Sequence, residues 1–328
     1  MLRKIALCSC LAVFAITAGT QARASSVTVF DVPGSNMTTP HGINASGVIV
    51  GEFAATVSNS SQGFVRTATG RIQTLHLRNV TWTSLVGIND RGDVIGGFGR
   101  RGTEFAFVRP SGESIRVIHP RGAVSTTVVA INDAGVSVGN FNDASGRTHG
   151  FVRSASGDVR GFVVPGADAT YPVAINRRGW IAGNYEAPGL AFHPFLRSPS
   201  GHFFFLANDG GADATGITSN ATVVGYVYGT DGHWHGFSWA RNGDVGPIDT
   251  FSGDETFVGG TMPSGVVWGS YDDENLEVDH GFTEANGVLT TIDPVGSVET
   301  EPSAISRNGA LTGSFSDGSR WHGFVASP

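Results

Sequence analysis

"GINASGVIVGEF", residues 42–53, joins two short apolar runs through Asn-x-x-Gly. Asn44 suits the first position of a β-turn, and Gly47 suits the left-handed backbone that a tight turn needs. The run "VIVG" behind it is too short for a helix and rich in β-branched residues, so the stretch predicts a β-hairpin. The same pattern recurs as "GINDRGDVIGGF" (87–98), "AINDAGVSVGNF" (130–141) and "AINRRGWIAGNY" (174–185). Looser copies follow as "GITSNATVVGYV" (216–227), "GTMPSGVVWGSY" (260–271) and "AISRNGALTGSF" (304–315). The closing glycines are Gly51, Gly96, Gly139, Gly183, Gly225, Gly269 and Gly313, spaced by 45, 43, 44, 42, 44 and 44 residues. A period this constant marks an internal repeat. The closing glycine, inside the second run, marks close backbone packing or a bulge.

About a dozen residues after each hairpin comes a second element, such as "QGFVR", "HGFVR" or "HPFLR". Its fixed aromatic is Phe64, Phe107, Phe151, Phe195, Phe237, Phe282 or Phe324. A small polar turn and another apolar-rich stretch complete the period. Each repeat thus holds four strands: A ("YPVAIN"), B ("VIVGEF"), C ("HGFVR") and D ("DVRGFVVPG"). Four antiparallel strands in about 44 residues, seven times over, predict an all-β chain, a seven-bladed β-propeller. An open solenoid would need polar capping repeats, and neither end offers one.

The two ends complement each other. "WHGFVASP" (321–328) is a strand C with no strand D after it, while "VTVFDVPG" (27–34) matches strand D elsewhere. The N-terminal strand is therefore expected to complete the last blade and close the ring, which leaves no exposed blade edge.

Residues 1–24 read as a secretory signal peptide: Arg3 and Lys4, an apolar run from Ile5 to Ala18, and Ala22-Arg23-Ala24 before an expected cleavage at Ser25. The run is shorter than the ~20 residues of a membrane span. Residues 25–328 are expected to form one domain, secreted or periplasmic. Cys8, Cys10 and the only lysine, Lys4, leave with the signal, which excludes disulfides, cysteine metal sites and lysine nucleophiles. The remainder carries 18 arginines against 28 acidic side chains, a net charge near −10. That argues against nucleic acid and anionic membranes as partners. A monomer without cofactor is expected.

The "AINxxGxIVGxY" pattern followed by His-Gly-Phe resembles the HAF family of extracellular repeat proteins of bacteria, over essentially the whole of residues 25–328. The resemblance implies export and a propeller, and no particular activity. Repeats 5 and 6 depart from it, with Thr218 and Met262 in place of Asn, and so does repeat 2, with Phe105 in place of His.

Five histidines belong to the repeat: His149, His193, His235, His280 and His322. Asp143, Asp231, Asp273 and Asp317 precede four of them in the B–C loop, which suggests Asp–His bonds that pin each loop to its blade. No metal site is expected, since equivalent positions lie far apart around a ring. The Asp-rich loop 271–279 lacks the alternating oxygen ligands of a calcium loop. Arg91-Gly92-Asp93 is explained by its hairpin turn. No nucleophile elbow, His-Glu-x-x-His or phosphate loop is present.

Positions that vary between repeats escape the packing constraint and point to the ligand. Five residues before the motif's Asn position stand Thr39, Ser84, Thr127, Tyr171, Asp213, Phe257 and Glu301. Three before it stand His41, Val86, Val129, Val173, Thr215, Gly259 and Ser303. Strand alternation puts both sets on one side of strand A, near the channel mouth formed by the D–A and B–C loops. His41, Tyr171, Asp213 and Glu301 are the candidate catalytic groups there. Trp82, Arg121, His233 and Trp234 are candidate ligand contacts. Aromatic faces with carboxylates and Arg suit a polysaccharide or another cell-surface ligand. The first reading is a non-catalytic binding module. The alternative is a polysaccharide lyase or glycoside hydrolase that uses His41 and Tyr171, or Asp213 and Glu301 as a carboxylate pair.

Overall fold

The computed structural model describes residues 26–55, 58–187, 192–206, 211–249, 255–273 and 278–327. The expected signal peptide lies outside them. They hold 28 strands and no helix, hence no helix long and apolar enough to cross a membrane. The fold is a β-propeller of four-stranded antiparallel sheets. In the third repeat, strand A is Ala123–Ile131, B Ser137–Asp143, C Thr148–Arg153 and D Val159–Phe162, paired in that order. Repeats 2, 4 and 5 form separate sheets of the same order. The sheets of repeats 6, 7 and 1 are joined to one another by single parallel bridges, Asp279 to Glu299 and Trp321 to Met37.

In the last repeat the fourth strand comes from the other end of the chain. Ser26–Phe30 pairs antiparallel with Trp321–Ser327, from Ser26 opposite Ser327 to Phe30 opposite Gly323. Phe30 is buried beside Phe64, with ring centroids 6.1 Å apart, and the Arg66 guanidinium sits 4.6 Å over its ring. The strand thus packs repeat 7 against repeat 1. Every hydrophobic cluster joins two neighbouring repeats; the one holding Phe30, Val32, Ile43 and Phe64 also takes Ala304 and Val325.

Inner strand A carries a β-bulge in all seven repeats. Pro40 pairs with Gly51 and Gly42 with Val50, so His41 is the extra residue. The same slip falls at Val86, Val129, Val173, Thr215, Gly259 and Ser303. The closing glycine of strand B is its partner: a methyl on Gly139 would run into the carbonyl oxygen of Thr127 and the Phe151 ring. That ring is fully buried, as are its equivalents Phe64, Phe107, Phe195, Phe282 and Phe324. Since a bulge breaks strict alternation, the two variable sets on strand A do not form one continuous row.

The motif asparagines tie the repeats together at the A–B end. Asn132 Oδ1 accepts from the Ala134 and Val136 amides at 3.1 and 3.0 Å, which shapes its own turn. Its Nδ2 donates to the Asn176 carbonyl of the next repeat at 3.0 Å. The same bond runs from Asn44 to Asn89, Asn89 to Asn132 and Asn176 to Thr218. Thr218 has no side-chain amide, and its Oγ1 serves the local turn, accepting from Thr222 N. From repeat 7 back to repeat 1, Asn308 Nδ2 donates to the Ala45 carbonyl and Ser303 Oγ to that of Pro40.

Candidate functional site

The variable positions divide between two ends of the inner strands. At the A–B end lies a cavity of about 350 Å³ into which all seven repeats project, from His41–Ile43 to Ser303–Arg307. Arg307 reaches across it to pair with Asp90 and, at 3.1 Å, with Asp133. His41 belongs to this wall. Its Nε2 lies 3.9 Å from Glu52 Oε1, and the nearby His41 imidazole holds the Glu52 carboxyl below its ordinary range in spite of burial. Tyr171, Asp213 and Glu301 do not line this cavity. They stand near the start of strand A, where the D–A and B–C loops emerge, so the structure separates His41 from the other three candidates.

At the loop end, each variable residue of strand A directly faces the residue between the closing glycine and aromatic of strand B. Asp213 faces Tyr226, and Phe257 faces Ser270. Directly paired residues project to the same face. On repeats 5 and 6 this assembles an aromatic cluster. Tyr226 and Trp234 lie 5.3 Å apart edge to face, Tyr228 and Trp234 5.1 Å, and Tyr226 and Phe257 5.7 Å. Tyr228 is about half exposed, so the cluster meets solvent. Beside it, burial pushes the Asp213 carboxyl up, and burial and that carboxylate raise the Tyr226 phenol.

Glu301 lies two repeats on from Asp213, with Phe257 at the equivalent position between them. Its neighbours are carboxylates. Glu301 stands two residues from Glu299 on the same strand, Glu299 is bridged across strands to Asp279, and Asp279 is paired with Asp272. Desolvation first, then these like charges, push Glu301, Glu299 and Asp279 upward. Tyr171 packs tilted against Phe192, with ring centroids 5.6 Å apart. Trp234 belongs to the aromatic cluster. Trp82 instead lies over Gly97 and Gly99 of its own repeat, Arg121 is exposed in the turn before strand A of repeat 3, and the His233 amide donates to Asp231 at 3.3 Å.

Four of the five repeat histidines bind carboxylates within their own blades, and His193 is the exception, its buried Nε2 without a hydrogen-bond partner among the described residues. His149 Nε2 lies 2.7 Å from Asp143, His235 Nε2 2.9 Å from Asp231, and His322 Nε2 3.2 Å from Asp317. A second carboxylate, just past strand D, meets the other ring nitrogen: Asp249 at His235, Asp293 at His280 and Asp31 at His322. Asp31 comes from the N-terminal strand, 291 residues away. Three of the imidazoles also stack on the strand B aromatic, His149 on Phe141 at 5.0 Å, His280 on Tyr271 at 5.1 Å and His322 on Phe315 at 5.0 Å, and Phe105 fills that place against Phe98 at 5.3 Å in repeat 2. Among the described residues no group of three or more His, Cys, Asp or Glu side chains could hold a metal ion. In the Arg-Gly-Asp turn, Arg91 pairs with Asp93 at 2.6 Å.

No protein-family model matches the chain, and no curated protein matches it. Solved structures are similar in fold. Virginiamycin B lyase from Staphylococcus aureus superposes with TM-score 0.61 at 12% identity, over 92% of this chain and 99% of that one. The β-propeller domain of the Trilobed protease from Pyrococcus furiosus gives 0.69 at 10%, over 89% and 95%. A puromycin hydrolase gives 0.61 at 12%, over 90% of this chain and 53% of its own. These likenesses are of fold alone. The Pyrococcus domain is described as having an open velcro topology, whereas here the N-terminal strand is paired with the last.

Proposed function

We propose that residues 25–328 form a closed seven-bladed propeller, exported by the signal peptide and belonging with the HAF repeat proteins, that binds a glycan of a cell surface at the loop-side mouth without chemistry of its own. Closure is supported by the pairing of Ser26–Phe30 with the last repeat and by the cluster joining repeats 7 and 1. The ligand reading rests on the solvent-facing aromatic cluster of Tyr226, Tyr228, Trp234 and Phe257 beside Asp213. Apolar ring faces with a few convergent polar groups are what an oriented sugar needs. Asp213 and Glu301 stand on repeats 5 and 7 with the apolar Phe257 between, an arrangement suited to lining a platform.

The test is a glycan array probed with the mature protein and with Trp234→Ala and Phe257→Ala. Binding of one glycan class by the wild type is expected, weakened at least about tenfold in each variant, a loss of about 1.4 kcal/mol. Binding unaffected by both substitutions would move the site elsewhere. Export is checked by N-terminal sequencing of protein from the culture medium and periplasm, which should begin at Ser25.

A further inference from the structure

The charge of the chain is divided unevenly. Residues 25–197 hold 15 arginines and 11 acidic side chains, whereas residues 198–328 hold three arginines and 17 acidic ones. None of those three arginines serves the mouth. Arg241 stacks over Trp180, Arg307 is paired at the A–B end, and Arg320 is paired with Asp31. The repeat histidines here already face carboxylates, His235 those of Asp231 and Asp249, and His280 that of Asp293. Asp213 has no hydrogen-bond or ion-pair partner among the described residues. The row Asp272, Asp279, Glu299 and Glu301 runs across two repeats, with Asp272 opposite Asp279, Asp279 opposite Glu299, and Glu301 two residues on from Glu299 in the same strand. Like charges set opposite one another cost stability, and each carboxyl in the row could be an amide without loss of packing. The aromatic cluster next to this row completes the pattern, because ring faces attract cations as well as apolar sugar faces.

On the reading that this mouth takes a glycan, we propose that the glycan is an amino-sugar polymer, held by its ammonium groups against Asp213, Glu299 and Glu301 and by its ring faces on Trp234 and Phe257. An ammonium group placed here gains charge-assisted hydrogen bonds and relieves the repulsion within the row. A uronate would add to that repulsion.

Titration calorimetry of the mature protein with four hexasaccharides tests this: β-linked glucosamine, its N-acetylated counterpart, cellohexaose and oligogalacturonate, all at about pH 6. The glucosamine hexamer should bind at least about tenfold more tightly than any other, a difference of about 1.4 kcal/mol. Raising the salt concentration should weaken it, since the charges are solvent-reached and screened. The double variant Asp213→Asn, Glu301→Gln should lose about tenfold or more in affinity for glucosamine hexamer, while the neutral hexamers change by less than about twofold. Trp234→Ala should weaken all bound ligands. Equal or tighter binding of a neutral or uronate hexamer would overturn the amino-sugar assignment and leave the glycan reading standing. Binding of none of the four would overturn both.

Discussion

The asparagine belt offers the most quantitative test of how the repeats are held together. Asn132 is buried and its side chain makes three hydrogen bonds, two within its own turn and one to the Asn176 carbonyl of the next repeat. At about 0.5–1.5 kcal/mol net per bond, Asn132→Ala should cost about 2–4 kcal/mol. Most of that arises from the Ala134 and Val136 amides, since the Asn176 carbonyl still accepts from Gly179 N. Repeat 5 shows what a hydroxyl can retain: Thr218 Oγ1 accepts from the amide four residues on. Asn132→Thr should therefore cost about 1–2 kcal/mol, having lost one turn bond and the cross-repeat bond. Asn132→Asp keeps both turn bonds but faces a carboxylate oxygen to the Asn176 carbonyl, so it should cost more than the Thr variant. For a domain of this size roughly 2 °C of melting temperature goes with each kcal/mol. Calorimetry should rank the proteins wild type, Thr, then Asp and Ala, with the Ala variant about 4–8 °C below wild type. An Asp variant as stable as wild type, or Thr and Ala variants of equal stability, would refute the assignment of a separate cross-repeat bond.

Three further outcomes are expected. Gly139→Ala should unfold or strongly destabilise the protein, by more than about 4 kcal/mol, because backbone and the Phe151 ring occupy the space of a methyl. Gly246→Ala, which meets only the Ser238 hydroxyl, should change stability by less than about 1 kcal/mol, and similar losses at both sites would refute the packing explanation. His235 is raised because the Asp231 and Asp249 carboxylates outweigh its desolvation. Its contribution is therefore full below the unfolded value near 6.5 and lost as pH rises through the higher folded value. Melting curves of wild type and His235→Gln should converge across that window, and parallel profiles would refute the linkage. Asp213 is shifted the opposite way from a stabilising carboxylate, so its ionisation at neutral pH opposes folding. Asp213→Asn should raise the melting temperature at pH 7 while weakening ligand binding, and a lowered melting temperature would show that the carboxylate has a stabilising partner.

The scaffold was legible because each packing role recurs. Asn44 and its equivalents, the closing glycines and the strand C phenylalanines do the same thing in each copy, so the period exposes them. The glycine at position 139 announced a bulge or a close approach, and the structure has both at once. The cost of the bulge to the sequence reading was the strict alternation that placed His41 with Tyr171, Asp213 and Glu301. Pairing partners that lie outside the motif were less legible. For His280 the ring also meets Asp293, just past strand D, and for His322 the second carboxylate is Asp31 at the far end of the chain. Trp234 was legible as a variable aromatic. Tyr226 and Phe257 became contacts only through the register of two strands and the packing of two repeats, neither of which one repeat encodes. The residue between the closing glycine and the aromatic of strand B was the available signal, since it always faces the variable position on strand A.

The central structural claim is that the N-terminal strand closes the ring. It is tested most directly with a cysteine pair at Thr28 and Val325, which face each other across the closing strands. Cross-strand partners are about 4.5–5.5 Å apart at Cα, within the range of a disulfide. No other cysteine is present after Cys10. The double variant Thr28→Cys, Val325→Cys should oxidise quantitatively in the native state. The closed loop of about 300 residues should then stabilise the protein by up to about 5–6 kcal/mol over its reduced form. Two free thiols that react with a thiol reagent in the folded protein, and no gain in melting temperature under oxidising conditions, would contradict the closure.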